Sequence, residues 1–139
     1  MLQPAKTKYR KWHRLRGSEH GVATRVTRLA FGSFGLKALE GGDINSRQLE
    51  AARKATAHYF KRGGKIWIRI FPHKPITRKA AEVPMGAGKG VVEFYVASIK
   101  KGTVIMEIEG VEESDAKRAM YLAGSKLPVK TRIITKDLV

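Results

Sequence analysis

Two stretches of the chain carry apolar residues at spacings of three and four, which is typical of amphipathic helices. The first covers residues 46–62, and its apolar face consists of Leu49, Ala52, Thr56, Tyr59 and Phe60. Asn45 and Gln48 have the spacing of a capping box, and the pair Gly63–Gly64 follows the last turn. The pattern therefore predicts a helix that packs on one side only.

The second helical pattern covers residues 114–127 and stops at Pro128. Its apolar face consists of Ala116, Ala119, Met120, Ala123 and Leu127. The adjacent carboxylates Glu112 and Glu113 come just before it, where they suit the positive end of a helix better than acid–base catalysis.

Alternating or continuous apolar runs predict the strands. They are Arg25–Phe31, Leu36–Leu39, Lys65–Phe71, Val91–Ile99, Thr103–Glu109 and Lys130–Lys136. A turn is expected at Gly32–Gly35, a break at Gly41–Gly42, and a hairpin through Lys100–Gly102. The order of elements predicts an α+β fold, a compact sandwich of a largely antiparallel sheet with two amphipathic helices.

Two segments, residues 1–24 and residues 72–90, show no hydrophobic periodicity. Residues 1–24 form a basic, extended N-terminal arm, and residues 25–139 form a single α+β domain that is expected to bind RNA. Within that domain, residues 72–90 are rich in Pro and Gly and predict a long projecting loop. Long irregular loops in compact domains are usually functional or disordered.

The charge of the chain changes this picture most. The 139 residues include 28 Lys and Arg against 12 Asp and Glu, a net charge of +16. Residues 1–90 carry +15 of it, whereas residues 91–139 are nearly neutral. Such a surplus on one part of the chain indicates an interaction surface for a polyanion.

The arm interleaves cations with aromatic residues. Its predicted RNA contacts are Lys6, Lys8, Tyr9, Arg10, Lys11, Trp12, His13, Arg14 and Arg16. Lysine and arginine neutralise phosphates, and the flat rings of Tyr9 and Trp12 offer faces for unstacked bases. An alternative is that Trp12 only anchors the arm on its own domain.

The first helix adds a cationic surface. Its candidate RNA contacts are Arg47, Arg53, Lys54, Lys61 and Arg62. Charges on a helix often form only a solvated face, but few acids compensate them here, which favours contact with a polyanion.

Other chemistries find little support. The chain has no cysteine, and its four histidines lie in separate segments, so neither a metal site nor another cofactor is expected. The glycines of residues 86–90 do not make a nucleotide-binding loop, because Val83 replaces the required Gly and Gly90 replaces Ser or Thr. An enzyme, a small-molecule substrate, a membrane span and a homo-oligomer are all unexpected.

Six segments together resemble a known family. They are MLQPAKTKYRKWHR, FGSFGLKAL, SRQLEAARKA, GGKIWIRIFPHKPIT, VPMGAGKGVVEFYVA and KLPVKTRIIT. In this order they are similar to the bacterial-type large-subunit ribosomal protein of the sixteenth family, over nearly the whole chain. The resemblance implies an α+β protein of the large ribosomal subunit that binds large-subunit rRNA and helps shape the aminoacyl-tRNA site.

The resemblance also implies roles for segments. The arm would thread between rRNA helices, and the first helix would face another. The loop would lie near the A-site and P-site tRNAs with Lys74, Arg78, Lys79, Met85, Gly86, Gly88, Lys89 and Gly90. The implied partners are large-subunit rRNA, both tRNAs and neighbouring large-subunit proteins, and the implied location is cytoplasmic and ribosome-bound, with an organelle-encoded origin also compatible.

The chain departs from the family pattern at two positions. Ala5 stands where a basic residue is common, and Pro84 stands where many relatives carry an arginine that is hydroxylated in some of them. The loop therefore has one charge fewer and cannot carry that modification there. A second hypothesis is a free-standing RNA-binding module, a chaperone or translational regulator, which would explain the charge equally well.

Overall fold

The computed structural model describes residues 2–14, 17, 20–60, 63–79, 86 and 88–136. In these ranges the chain forms two helices and seven strands. In chain order they are β1 (Phe34–Ala38), β2 (Gly42–Asn45), α1 (Ser46–Phe60), β3 (Lys65–Ile68), β4 (Lys74–Arg78), β5 (Val91–Ile99), β6 (Val104–Glu109), α2 (Glu113–Gly124) and β7 (Thr131–Thr135).

The strands form two antiparallel sheets. The larger sheet has the order β3-β6-β1-β7, and the smaller one has the order β2-β5-β4. Helices α1 and α2 pack against each other and against strands of both sheets. The α+β fold with two amphipathic helices and antiparallel pairing is therefore confirmed.

Both helices form as the apolar spacing predicts. Asn45 Oδ1 accepts the N–H of Gln48 at 2.8 Å, and Gln48 Oε1 accepts the N–H of Asn45 at 3.0 Å, so the capping box is complete. Leu49, Ala52 and Thr56 are buried, as is the predicted face of α2, but Tyr59 is 37% exposed. Phe60 is partly buried against the core, so Tyr59 is the exposed member of the predicted apolar face of α1.

The hairpin predicted through Lys100–Gly102 is wrong. Strand β5 pairs with β2 and β4, whereas β6 pairs with β1 and β3, so the two strands belong to different sheets. The connection does make a tight turn, but Ala38 binds it, donating to the carbonyl of Thr103 and accepting from the N–H of Gly102, both at 2.8 Å. These two bonds carry the chain onto β1 instead of back onto β5.

The first predicted strand, Arg25–Phe31, is also wrong. This segment crosses the larger sheet as an irregular strap that we define as residues 22–32. Its N–H groups at Ala30, Phe31 and Gly32 donate to one oxygen of the Glu107 carboxylate. Because a buried side chain satisfies these three donors, this end of the strap has no need of a strand partner, whereas Ala23 and Val26 hydrogen-bond to the backbone of Lys101 and Val104.

Strand β1 begins earlier than expected, at Phe34, inside the predicted turn Gly32–Gly35. Strand β2 likewise begins at Gly42, where a break was predicted, and Ile44 brings it into the core. Glycine at position 35 fits the strap closely, since a Cβ there would collide with the side chain of Leu29.

Strand β4 occupies part of the predicted irregular loop 72–90. Its first three residues, Lys74–Ile76, are buried, and Pro75 lies opposite Tyr95 of β5. Proline argues against a central strand because it cannot donate to the ladder, but β4 lies at the edge of its sheet, where proline is tolerated. Residues 79–90 of the predicted loop remain between β4 and β5, and of these, 80–85 and 87 lie outside the described residues.

Candidate nucleic-acid interface

The cations of the arm are mostly exposed. Lys6, Lys8, Arg10, His13 and Arg14 face solvent, and Tyr9 is 65% exposed with the ammonium of Lys8 lying 5.7 Å from its ring centroid. Arg16 lies outside the described residues. The described part of the arm thus presents closely spaced positive charges and one accessible ring, as an RNA contact needs.

The arm folds back onto the β4–β5 loop. Lys11 Nζ donates to the carbonyl of Lys89 at 3.1 Å, and Lys89 Nζ donates in return to the carbonyl of Trp12. The Trp12 ring packs edge-on against His73, with centroids 5.4 Å apart. We call these four residues the arm–loop junction. It joins the predicted rRNA-binding arm to the predicted tRNA-proximal loop, two segments that lie far apart in sequence.

A shallow groove of about 550 Å³ opens at this junction. It is lined by Tyr9, Lys11, Trp12, His13 and Lys89. Trp12 is half-buried, which agrees with the alternative that it anchors the arm, whereas Tyr9 keeps a free face. The two aromatic residues of the arm therefore differ in what they can offer an incoming base.

The described residues of the loop between β4 and β5, with Arg78 before them, make several polar contacts and one close backbone approach. Lys79 Nζ donates to the carbonyl of Gly86, and Arg78 forms an exposed ion pair with Glu93 at 3.8 Å. Gly90 lies so close to Arg78 that a Cβ would come within 2.8 Å of its carbonyl oxygen. Close backbone approach is thus the role of this glycine, while Gly86 and Gly88 adopt positive φ values of 106° and 91°. Met85 lies outside the described residues.

Lys74 does not belong to the exposed part of the loop. Its side chain is buried in β4, with Nζ 3.5 Å from Ser98 Oγ, which in turn donates to Asp43 Oδ1 at 2.5 Å. The nearby carboxylate offsets the buried ammonium. Through Ser98 and Asp43, Lys74 therefore connects β4 with β5 and β2, and it presents little charge to a binding partner.

The cationic face of α1 is only partly free. Arg47 and Lys54 are exposed, whereas Arg53 forms a two-point ion pair with Glu50, one turn earlier, at 2.5 and 3.1 Å. The hydrogen bond from Arg53 lowers the pKa of the Glu50 carboxyl, and the same bond raises the pKa of Arg53. Lys61 and Arg62 lie outside the described residues.

The periodic pattern of the sequence did not single out Glu107 and Arg69. Glu107 is fully buried in β6, and Arg69 donates to its second carboxylate oxygen. Burial alone would raise the pKa of Glu107, but hydrogen bonds from the Gly32 N–H, Arg69, and the N–H groups of Phe31 and Ala30 lower it overall. The one signal in the sequence is an acid inside the apolar run VIMEIE.

Among the residues that the structure describes, no group of three or more His, Asp and Glu could hold a metal ion. The same residues include no helix long and apolar enough to cross a membrane.

Comparison with known proteins gives the family. Residues 4–134 match the family model described as ribosomal protein L16p/L10e. The chain belongs to the ribosomal protein L16p/L10e family. The resemblance of its six segments is thus confirmed, and an L16p/L10e protein is a structural protein, not an enzyme.

Two relatives illustrate how complete the match is. The L16p/L10e chain is 52% identical to the large ribosomal subunit protein uL16 of Rhodopseudomonas palustris (strain HaA2) over 136 residues, which cover 98% of each chain. It is 55% identical to the large ribosomal subunit protein uL16c of Phaeodactylum tricornutum over 137 residues, 99% of this chain and 98% of the relative. The similarity therefore includes the arm and the loop as well as the domain.

Proposed function

We propose that this L16p/L10e chain is a structural component of the large ribosomal subunit that binds its rRNA through the arm and the exposed face of α1. The observation that carries the proposal is the arm–loop junction. Lys11 and Lys89 each donate to the other's segment, which brings cations of the arm and of the loop together at one place. In this role the cations replace counterions between crowded phosphates and hold the local RNA structure.

The finer part of the proposal concerns tRNA. The loop follows β4 at the edge of the smaller sheet, and its described residue Lys89 is exposed and bonded to the arm through the junction. We infer that the arm fixes the protein on rRNA, while the loop extends toward the A-site and P-site tRNAs. Neighbouring large-subunit proteins would contact the C-terminal part, residues 91–139, where acids balance nearly all of the cations.

Binding of the purified chain to large-subunit rRNA tests the first part. The variant carries Gln at Lys8, Arg10 and Arg14, three exposed cations that do not make the Lys11 hydrogen bond of the junction. We expect weaker binding and a salt-dependence slope smaller by roughly two to three, because each lost phosphate contact removes about 0.7–0.9 from the slope.

The matched control carries Gln at Lys100, Lys126 and Lys130, which are exposed cations outside the arm. It has the same net charge as the arm variant. Equal losses in the two variants would show that only total charge matters and would contradict a specific interface on the arm.

A further inference from the structure

An aromatic stack lies exposed where the strap meets the edge of the larger sheet. The Phe31 and Trp67 rings are nearly parallel, at 19°, with centroids 5.9 Å apart. The Arg69 guanidinium lies 5.0 Å from the Phe31 centroid. Phe31 is nevertheless 55% exposed. We call Phe31, Trp67 and Arg69 the Phe31 stack.

The exposed ring is held rigidly. The Phe31 N–H donates to Glu107 Oε1 at 2.9 Å, and the neighbouring Ala30 and Gly32 N–H groups donate to the same oxygen at 3.0 and 2.9 Å. The other carboxylate oxygen accepts from Arg69. A single buried carboxylate thus fixes the backbone of Phe31 and the guanidinium beside its ring, which reduces the conformational entropy that is lost when a partner binds.

Cations outnumber acids around the ring, although Glu109 of β6 lies opposite Lys65 and accepts from Ser33 Oγ at 2.8 Å. Every second residue from Lys65 points to the same side of the chain: Lys65 and Trp67 in β3, and Arg69 just after it. Lys65 is exposed. Arg28 of the strap is also exposed, and its carbonyl lies 3.4 Å from Arg69 Nη1. Exposed cations therefore lie on both of the segments that hold the Phe31 and Trp67 rings, and an exposed ring near such cations suits a nucleobase and its phosphates.

We propose that the Phe31 stack binds one unpaired base of the large-subunit rRNA, with the base packing on the exposed part of the Phe31 ring and with Arg28 and Lys65 contacting the flanking phosphates. This inference rests on the proposed function. An unpaired base is favoured over a paired one because the bases of an A-form helix are not open to stacking by a side chain. Arg69 acts as a positioning residue, since Glu107 already occupies its guanidinium.

Three variants at one position test the proposal with the full chain and large-subunit rRNA. Phe31→Leu keeps an apolar side chain but removes the ring, and Phe31→Tyr keeps the ring. We expect Phe31→Leu to weaken binding by about 5- to 100-fold with an unchanged salt slope, because stacking carries no charge, and Phe31→Tyr to stay within about twofold of the parent.

The third variant, Phe31→Trp, reports on the contact directly. In a chain that also carries Trp12→Phe and Trp67→Phe, it is the one tryptophan left, since the sequence has two. We expect its fluorescence to be quenched by rRNA and to stay unquenched with the rRNA replaced by a polyphosphate. This readout holds even where Phe31→Leu also lowers stability.

Each other result overturns the proposal. Parent-like binding by Phe31→Leu together with an unquenched Phe31→Trp would remove the base contact and leave the proposed function intact. If Phe31→Leu binds bare rRNA like the parent but is retained less well in whole large subunits, the stack contacts a neighbouring protein instead of a base. Failure of the parent chain to bind rRNA would overturn both the stack and the proposed function.

Discussion

The Arg69 guanidinium and the buried Glu107 carboxylate form an ion pair that connects the end of β3 to the centre of the larger sheet. Three backbone N–H groups of the strap complete the hydrogen bonding of the same carboxylate. Inside this sheet, one acid therefore determines the path of a segment that lacks regular secondary structure.

Removing the carboxylate is expected to be costly. Glu107→Ala leaves Arg69 and the three N–H groups without their partner, and we expect the free energy of unfolding to fall by about 3–5 kcal/mol. The measurement is chemical denaturation of the free protein followed by circular dichroism.

Glu113→Ala is the matched control for this loss. Glu113 also forms an ion pair, with Lys117 at 3.1 Å, but both side chains are exposed, and we expect a loss of less than about 1 kcal/mol. Similar losses in the two variants would contradict a structural role for the buried pair.

Acidification should remove the stabilisation that the Glu107 carboxylate provides. The pKa of Glu107 is lower in the folded chain than its ordinary value of 4.5, so the unfolded chain binds more protons between the two values. Stability from this group is complete above about pH 4.5 and is lost as the pH falls through the folded pKa.

The comparison that isolates this effect uses Glu107→Gln, which does not titrate at this position. The difference in free energy of unfolding between parent and variant should be constant near neutral pH and should shrink below about pH 4.5. A difference that grows on acidification would mean that the folded pKa is raised.

The arm–loop junction predicts a link between one loop lysine and the order of the arm. Lys89→Met removes the hydrogen bond to the Trp12 carbonyl, and we expect chymotrypsin to cleave faster at Tyr9 and Trp12. Lys126→Met, an exposed cation outside the junction, is the control and should leave the cleavage rate unchanged. Equal cleavage of Lys89→Met and the parent would show that the junction does not restrain the arm in solution.

The tRNA part of the proposal predicts a separation of assembly from function. Deleting residues 84–88 shortens the loop but keeps Lys89 of the arm–loop junction and all of β4 and β5, so we expect incorporation into the large subunit to be nearly intact and tRNA accommodation to slow. A reconstituted translation assay measures both on the same particles. Parent-like accommodation would remove the proposed role of the loop.

Local patterns predicted the helices and the longest strands well. The capping box and the three–four spacing of α1 are contained within a few neighbouring residues, and Val91–Ile99 has the same bounds in the structure as in the prediction. The predictions that were wrong concern segments whose structure depends on residues far away in the sequence. The path of the strap is set by Glu107, more than 70 positions later, and β4 becomes a strand only because Pro75 lies at a sheet edge.

The candidate interface shows the same difference between what local patterns predict and what long-range contacts determine. Composition alone located the cations of the arm and helix, because an excess of charge is visible without a fold. It did not reveal that Lys74 is buried beside Ser98, that Arg53 is paired with Glu50, or that Lys89 contacts the arm. These facts depend on strand pairing and on where the chain folds back, which no local pattern encodes.

The most direct test of the central claim is to fractionate a lysate on a sucrose gradient and measure this chain by mass spectrometry. We predict co-sedimentation with the large subunit at about one copy per particle that resists moderate salt, since many phosphate contacts must be lost together. A chain found mostly at the top of the gradient would contradict a structural ribosomal role and would favour a free-standing RNA-binding module.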